Sequence, residues 1–471
     1  MSTASAASKP TASRLPCLFD PSQPVKALSV AFWLWKAILF VAIVSCPGLG
    51  YDTSSSLLPL LDNGSAEALS SPSKHVSLPI PLKFARWDSI YFVHIGQTGY
   101  VFEQEWAFSY AYGYLVRSLS SFVPPSYDSG GAAEFAVAGV ALSHVAHYLS
   151  VLVLYRLSIN VFGNDTERKR LLCFLSAALH IICPAGAFLS APYMESLFSF
   201  LNFTGFYIYS SSCIDLLKEK QSLSHVKLLI TGCLFAVATA IRSNGILSGI
   251  LLAYDAFAQT YKIITRRSFG AIVRLGFLVL SGSTVALGLM IPQYFAYIAY
   301  CMNEGVSRPW CQSFIPSIYG WVQAHYWGVG FLRYWTVSNL PLFLLASPML
   351  LILFLSCFWG LGAPVPLSFK TPIKARIAIP SGPAATLLTQ LAIVQLILAT
   401  MALTSYHVQI INRISSGYPL WYWYIAWQAL GTSDRSSFRI KYSSQFMVIV
   451  QAMVMYGLIQ GVLFGSFLPP A

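Results

Sequence analysis

"ALSVAFWLWKAILFVAIVSC", residues 27–46, sets the fold class. Its single charge is Lys36. As a helix, about 20 apolar residues reach across the ~30 Å hydrocarbon core of a bilayer. The run starts too far into the chain for a signal peptide and has no clear small-residue cleavage site, so it reads as a retained first span. Ten more apolar runs follow, at 133–155, 171–189, 193–213, 228–241, 246–261, 275–298, 340–361, 384–404, 419–431 and 444–467. Together they predict an all-α polytopic membrane protein with roughly eleven transmembrane helices. The pair 228–241 and 246–261, broken by "RSNG", reads either as two short spans or as a re-entrant hairpin. If the short aromatic run 419–431 does not span, the last helix is inverted.

Composition points the same way. The 471-residue chain is 56% hydrophobic and 10% charged, against about 25% charged in soluble domains. Such a chain cannot cover a soluble globule with polar surface. The net charge of +12 does not form a nucleic-acid face, because the lysines and arginines come in small clusters between apolar runs. Residues 1–25 are small, polar and proline-containing, and are expected to be a disordered cytosolic tail. Residues 26–471 are expected to form one transmembrane domain. The cysteines show no CxxC pair and no metal-ligand spacing. Cys301 and Cys311 stand ten apart in a polar loop, as two thiols or as a local disulfide.

The positive-inside rule orients this arrangement with a cytosolic N-terminus. Clusters at 9–26, 156–170, 218–227, 262–274, 370–376 and 435–441 then put 20 of the 29 basic residues on the cytosolic face. The opposite face receives the long loops 47–132, 299–339 and 405–418. Asn63-Gly64-Ser65 is a glycosylation sequon on that face, and Asn164-Asp165-Thr166 is a chance sequon on the cytosolic side. Polar residues thus gather on one face, which suggests chemistry there. A transporter would instead hide them at discontinuous helices inside the membrane.

On that face the carboxylates to weigh are Asp88, Glu103, Glu105, Glu195 and Glu304. "KFARWDSIYFVHIGQTGY", residues 83–100, keeps Arg86, Trp87 and Asp88 together beside a span. Were 84–95 helical, Phe84, Trp87, Tyr91 and His94 would form one aromatic stripe on an interfacial helix. Asp88 would then lie at headgroup depth, as a general base or as one half of a solvated pair with Arg86. Arg86, Arg242, Arg333 and Arg413, with His325 nearby, supply cations beside aromatic residues or helix breaks. An arginine fork suits phosphate, although each arginine alone also reads as an interfacial snorkelling residue. Glu195, in "APYMESLF", reads also as a helix N-terminal charge.

In order, "RWDSIYF", "GQTGY", "APYMESLF", "RSNG", "RPWC", "IPSIYGWVQAHYWGVGFLRYW" and "HVQIINRISSGYPLWYW" resemble the motifs of the GPI mannosyltransferase 2 family, in the wording of its fungal members. The resemblance covers about 80–425. It implies a GT-C fold with lumenal interfacial helices in the endoplasmic reticulum membrane. It implies transfer of the second, α-1,6-linked mannose from dolichyl phosphate mannose to the GPI precursor lipid, by one inverting displacement. Asp88 matches the catalytic acidic residue of the first lumenal loop, with Arg86 holding it or meeting phosphate. Trp87, Glu103, Glu195, Arg242, Asn244, His325, Trp327, Arg333 and Arg413 are carried as substrate-binding. No metal or other cofactor is firmly implied. A second membrane subunit is a partner the family reaction involves, which keeps a non-catalytic subunit role as an alternative, beside a lipid transporter. "AFSYAYG" at 107–113 departs from a proline-bearing "AFFP" in the family pattern.

The charge bias predicts that Asn63 carries glycan in cells and Asn164 does not. Endoglycosidase mobility shifts of Asn63→Gln and Asn164→Gln variants check this. Glycan on Asn164 alone would reverse the orientation.

Overall fold

The computed structural model describes residues 23–47, 50–52, 54–56, 58, 78–125, 131–302, 308–363, 380, 382–430 and 444–469. Most of the expected tail, both Asn63 and Glu304, and the basic clusters at 370–376 and 435–441 lie outside them. No β-strand occurs among the described residues.

Each of the eleven apolar runs carries a helix. The first is α1 (Pro24–Val44), entered through a proline at its first position. Two shorter helices, α2 (Ser89–Thr98) and α3 (Tyr110–Ser120), follow in the first long loop. The bundle continues with α4 (Ala132–Phe162), α5 (Glu167–Ile181), α6 (Glu195–Leu217), α7 (Gln221–Ile241), α8 (Ile250–Arg266) and α9 (Phe269–Cys301). After the short α10 (Ile318–His325) come α11 (Leu340–Gly360), α12 (Pro383–Thr404), the single turn α13 (Ile411–Ile414), α14 (Leu420–Leu430) and α15 (Ser444–Gly465). Seven of the described helices are long and apolar enough to cross a membrane: α1, α4, α7, α9, α11, α12 and α15. Of the other four, α5, α8 and α14 are short, and α6 is rich in serine. The "RSNG" break resolves into α7, a 3-10 turn at 243–249, and α8 turning back.

Contacts sort the helix ends onto two faces. Leu82 and Ala85 pack with Ala132 and Ala136 at the start of α4. Glu195 at the start of α6 meets Arg242 just past the end of α7. On the far side, Arg274 of α9 bonds Asp255 of α8, and Lys227 of α7 bonds Asp215 of α6. The last helix runs parallel to α1, since Gly457 lies against Trp35 and Gly465 against Ile43. The turn after α15 therefore shares a face with residues 44–46 and 83–88. At about 16 Å, α14 is too short to cross alone. Its Trp423 and Trp427 reach Phe162 and Trp359, the far ends of α4 and α11. Residues 405–419 lead into α14 as mostly irregular, buried or half-buried backbone. Such backbone is tolerated at membrane depth only inside protein or beside a cavity. The last helix thus keeps the direction of α1.

The outward faces are apolar, as on α9, where Val279, Leu280, Leu287, Met290 and Ile291 are exposed. Inside, small residues let backbones approach. A Cβ on Gly288 would lie 2.2 Å from the Ala236 carbonyl oxygen of α7, whereas one on Gly276 of the same helix meets nothing within 4 Å.

Gly288→Ala should therefore lower the melting temperature of the detergent-solubilised protein, by about 1–3 kcal/mol of stability. Gly276→Ala should leave it unchanged, as measured by static light scattering on heating.

Candidate active site

The aromatic helix expected over 84–95 is broken. Residues 80–84 form a 3-10 turn, and α2 begins only at Ser89. Between them Trp87 takes a left-handed backbone with φ 54°, which costs a bulky residue on the order of 1 kcal/mol. This corner swings Asp88 to the N-terminal end of α2, where the helix dipole favours a carboxylate. Buried Phe92, Val93 and Ile95 fix the helix against the protein. Asp88 makes no capping bond. Its Oδ2 accepts from Arg413 Nη2 at 2.6 Å, and Oδ1 has no partner among the described residues.

Arg413 comes from α13, in the irregular stretch that precedes α14. Its Nε lies 3.5 Å from Glu195 Oε1. Its guanidinium sits over the rings of Phe188 and Tyr193, at 4.9 and 5.6 Å from their centroids. The carboxylates of Asp88 and Glu195 thus flank its charge on two sides. The same Glu195 oxygen accepts from Arg242 Nη1 at 2.6 Å. Arg242 is extended at the start of the 243–249 turn. Gly245 is required in that turn, because a Cβ there would lie 2.7 Å from the Thr239 backbone nitrogen. Asp88, Arg413, Glu195 and Arg242 thus form one chain of alternating charge.

The chain borders a cavity of about 250 Å³. Asp88, Arg242, Asn244, Trp327, His407 and Arg413 are among its lining residues. Asn244 Nδ2 donates to Tyr418 Oη at 3.0 Å, while its Oδ1 is buried without a partner among the described residues. Basic, carboxylate and aromatic groups therefore converge where a ligand with both charge and a ring would be held.

Of the residues singled out from sequence, five line the cavity and Glu195 stands behind them. Five do not line it. Arg86 points away from Asp88: it is fully buried, bonds Ser55 Oγ at 3.2 Å and lies 4.9 Å from the Phe467 ring centroid. Burial lowers it to about 10, so it stays charged at neutral pH. Trp87 packs edge-on against Phe467 at 5.2 Å. Glu103 accepts from Trp310 Nε1 at 2.7 Å and Tyr326 Oη at 3.1 Å, clamping two loops together. His325 is exposed and stacks on Trp321 at 4.5 Å, and Arg333 is exposed. Glu105 is buried, held by His94 Nδ1 at 2.5 Å and by two backbone N–H groups. Cys301 and Cys311 form a disulfide at the same end of the molecule. Sequence reading missed Gln293, Tyr319 and His407 on the wall. The signals were a glutamine inside the apolar run 275–298 and the polar residues of the two long aromatic motifs.

A helical bundle bared to lipid, with a cavity of paired carboxylates and arginines at one end, is the layout of a membrane-embedded transferase. The family described as Mannosyltransferase (PIG-V) matches residues 37–471, and the chain belongs to it. It is 54% identical over 457 residues to the GPI mannosyltransferase 2 of Aspergillus oryzae, covering 97% of this chain and 98% of that one. Identity to that of Aspergillus fumigatus is 50%, over 96% of this chain and 95% of the relative. To that of Saccharomyces cerevisiae it is 30%, over 95% and 100%. Among solved structures, the Archaeoglobus fulgidus oligosaccharyltransferase with a tethered acceptor peptide is similar with a TM-score of 0.43, at 11% identity, over 93% of this chain and 55% of that chain.

Arg413→Lys should lower kcat/KM about tenfold or more, because one ammonium cannot reach both carboxylates and a ligand in a fork. Arg333→Lys should be neutral. Steady-state kinetics on purified variants check both.

Proposed function

We propose that this protein transfers the second, α-1,6-linked mannose from dolichyl phosphate mannose to the GPI precursor at the lumenal face of the endoplasmic reticulum, on a GT-C scaffold. The observation that carries the mechanism is the pairing of Asp88 with Arg413 at the cavity wall. Asp88 Oδ1 accepts the proton of the acceptor 6-hydroxyl as its oxygen attacks the anomeric carbon. The bond from that carbon to the phosphate oxygen breaks, and dolichyl phosphate leaves with the bonding pair. Phosphate needs little protonation on leaving, so one carboxylate suffices. Arg413 and Arg242 offset the charge that develops on it. Glu195, through one oxygen, contacts both guanidinium groups, offsets their mutual repulsion and aims them. Attack from the side opposite the phosphate inverts the anomeric centre.

Mannosyltransferase relatives along nearly the whole chain support the reaction class. A disulfide at the site face and basic clusters at the far face support a lumenal site, since disulfides persist in the oxidising lumen. Arg86, Glu103, His325 and Arg333 are taken as supporting residues and not as substrate contacts.

Asp88→Asn keeps the shape and removes the base. It should lose at least ~10²-fold in kcat at unchanged membrane yield, assayed with dolichyl phosphate mannose and a one-mannose precursor. Asp88→Glu should retain little, because a methylene of displacement spoils the approach. Glu103→Gln should keep most activity. An active Asp88→Asn with a dead Glu195→Gln would move the base to Glu195. Full activity in both would place the chemistry in a partner chain.

A further inference from the structure

The last helix supplies no residue to the cavity wall, yet its end touches the supports of both Asp88 and Arg413. Phe467, in the turn after α15, is 2% exposed. The Arg86 guanidinium lies 4.9 Å from its ring centroid, and the Trp87 ring meets it edge-on at 5.2 Å. Both residues immediately precede Asp88. Phe467 is itself left-handed, with φ 56°, as is Trp87 with 54°. Two strained backbones are thus pressed against each other through their rings. One helical turn earlier, Phe464 is fully buried and packs on Phe188 at 5.9 Å and Tyr193 at 6.2 Å. These are the two rings beneath the Arg413 guanidinium. Tyr193 closes the arrangement by donating its hydroxyl to the Arg86 carbonyl at 2.8 Å. The turn is anchored in its place. Tyr51 N–H donates to the Ser466 carbonyl at 2.9 Å, and Leu468 N–H to the Leu463 carbonyl at 2.8 Å.

Strained conformations persist where their surroundings over-determine them. A strained residue next to a reacting group is held for its geometry, and an ångström of misplacement can cost about 10²-fold in rate. We propose that Phe464 and Phe467 are positioning residues that set the approach of Asp88 to Arg413, with Arg86 as the link between Phe467 and the Asp88 corner. This rests on the reading of Asp88 as the base.

The test is a double-mutant cycle on the full-length protein in detergent with lipid. Phe467→Leu keeps bulk and loses the ring. It should lower kcat about tenfold, with donor and acceptor KM within about twofold, and Phe467→Tyr should restore most of the rate. In the Asp88→Asn background, Phe467→Leu should cost less than about twofold, because it acts through a carboxylate already removed. Gly50→Ala probes the same turn from the other side, as its Cβ would lie 2.9 Å from the Phe467 Cβ, and should give the same kinetic signature. Wild-type kcat in Phe467→Leu, or a loss that multiplies fully with Asp88→Asn, overturns the proposal. So does failure of both Phe467→Leu and Gly50→Ala to accumulate in membranes, which would make the turn a requirement for folding alone. An active Asp88→Asn overturns instead the reading of Asp88, and is distinguished because it needs no change at Phe467.

Discussion

A guanidinium shared between two carboxylates ties this protein together. Arg413 stands between Asp88 and Glu195, and Glu195 in turn holds Arg242. The four residues come from four segments spread over more than 300 positions of the chain. Inside a membrane protein such charges are expensive to leave unmatched. For the buried Glu195–Arg242 pair, removing one partner costs about 3–5 kcal/mol, because the remaining charge has no compensation, whereas Asp88 is partly open to the cavity. The segments bearing the pairs must therefore arrive in register, and the helices between them are the means of delivering them.

Three stretches that carry these residues or lead into them are not regular helix. Residues 182–194, 242–249 and 405–419 run irregularly within the bundle, where free backbone groups could not face lipid. Side chains satisfy them. Lys36 of α1 donates to the Leu189 carbonyl at 2.7 Å and to Ser190 Oγ at 2.8 Å. Asn202 donates to the Gly417 carbonyl, and Trp421 Nε1 to that of Ser415. The Tyr418 hydroxyl bonds both the backbone and the side chain of Asn244. The one lysine in the first span, odd as a membrane-crossing residue, is thus a prop for the turn that carries Phe188 beneath Arg413. Irregular backbone lets side chains converge on a point, whereas a straight helix would spread them along its length.

The two faces of the molecule differ in what their charges do. At the far face, Lys169–Asp165, Lys227–Asp215 and Arg274–Asp255 satisfy one another locally, between neighbours in sequence or on adjacent helices. At the site face Arg413 pairs with Asp88 and Glu195, each more than 200 positions away in the chain. Local pairs stabilise ends of helices. Long-range pairs between irregular segments hold a geometry that chemistry can use.

Apolar run length was enough to read the helical membrane class, because hydrophobic length matches bilayer thickness and needs no tertiary information. All eleven runs carry helix. The motifs around Asp88, Glu195, Arg242, Trp327 and Arg413 were legible too, because charge beside aromatics or helix breaks is rare in so apolar a chain. Arg86 misled for the opposite reason: adjacency in sequence suggested a pair with Asp88, but a left-handed Trp87 turns the two side chains apart. Likewise Glu103 and Glu105 stood beside Asp88 among the carboxylates to weigh, and packing shows them spent on Trp310, Tyr326 and His94. Which carboxylate meets which arginine depends on backbone direction at a few irregular residues and on helices that meet across hundreds of positions. Periodicity and composition carry no record of that, since both describe neighbours along the chain and the site is made of neighbours in space.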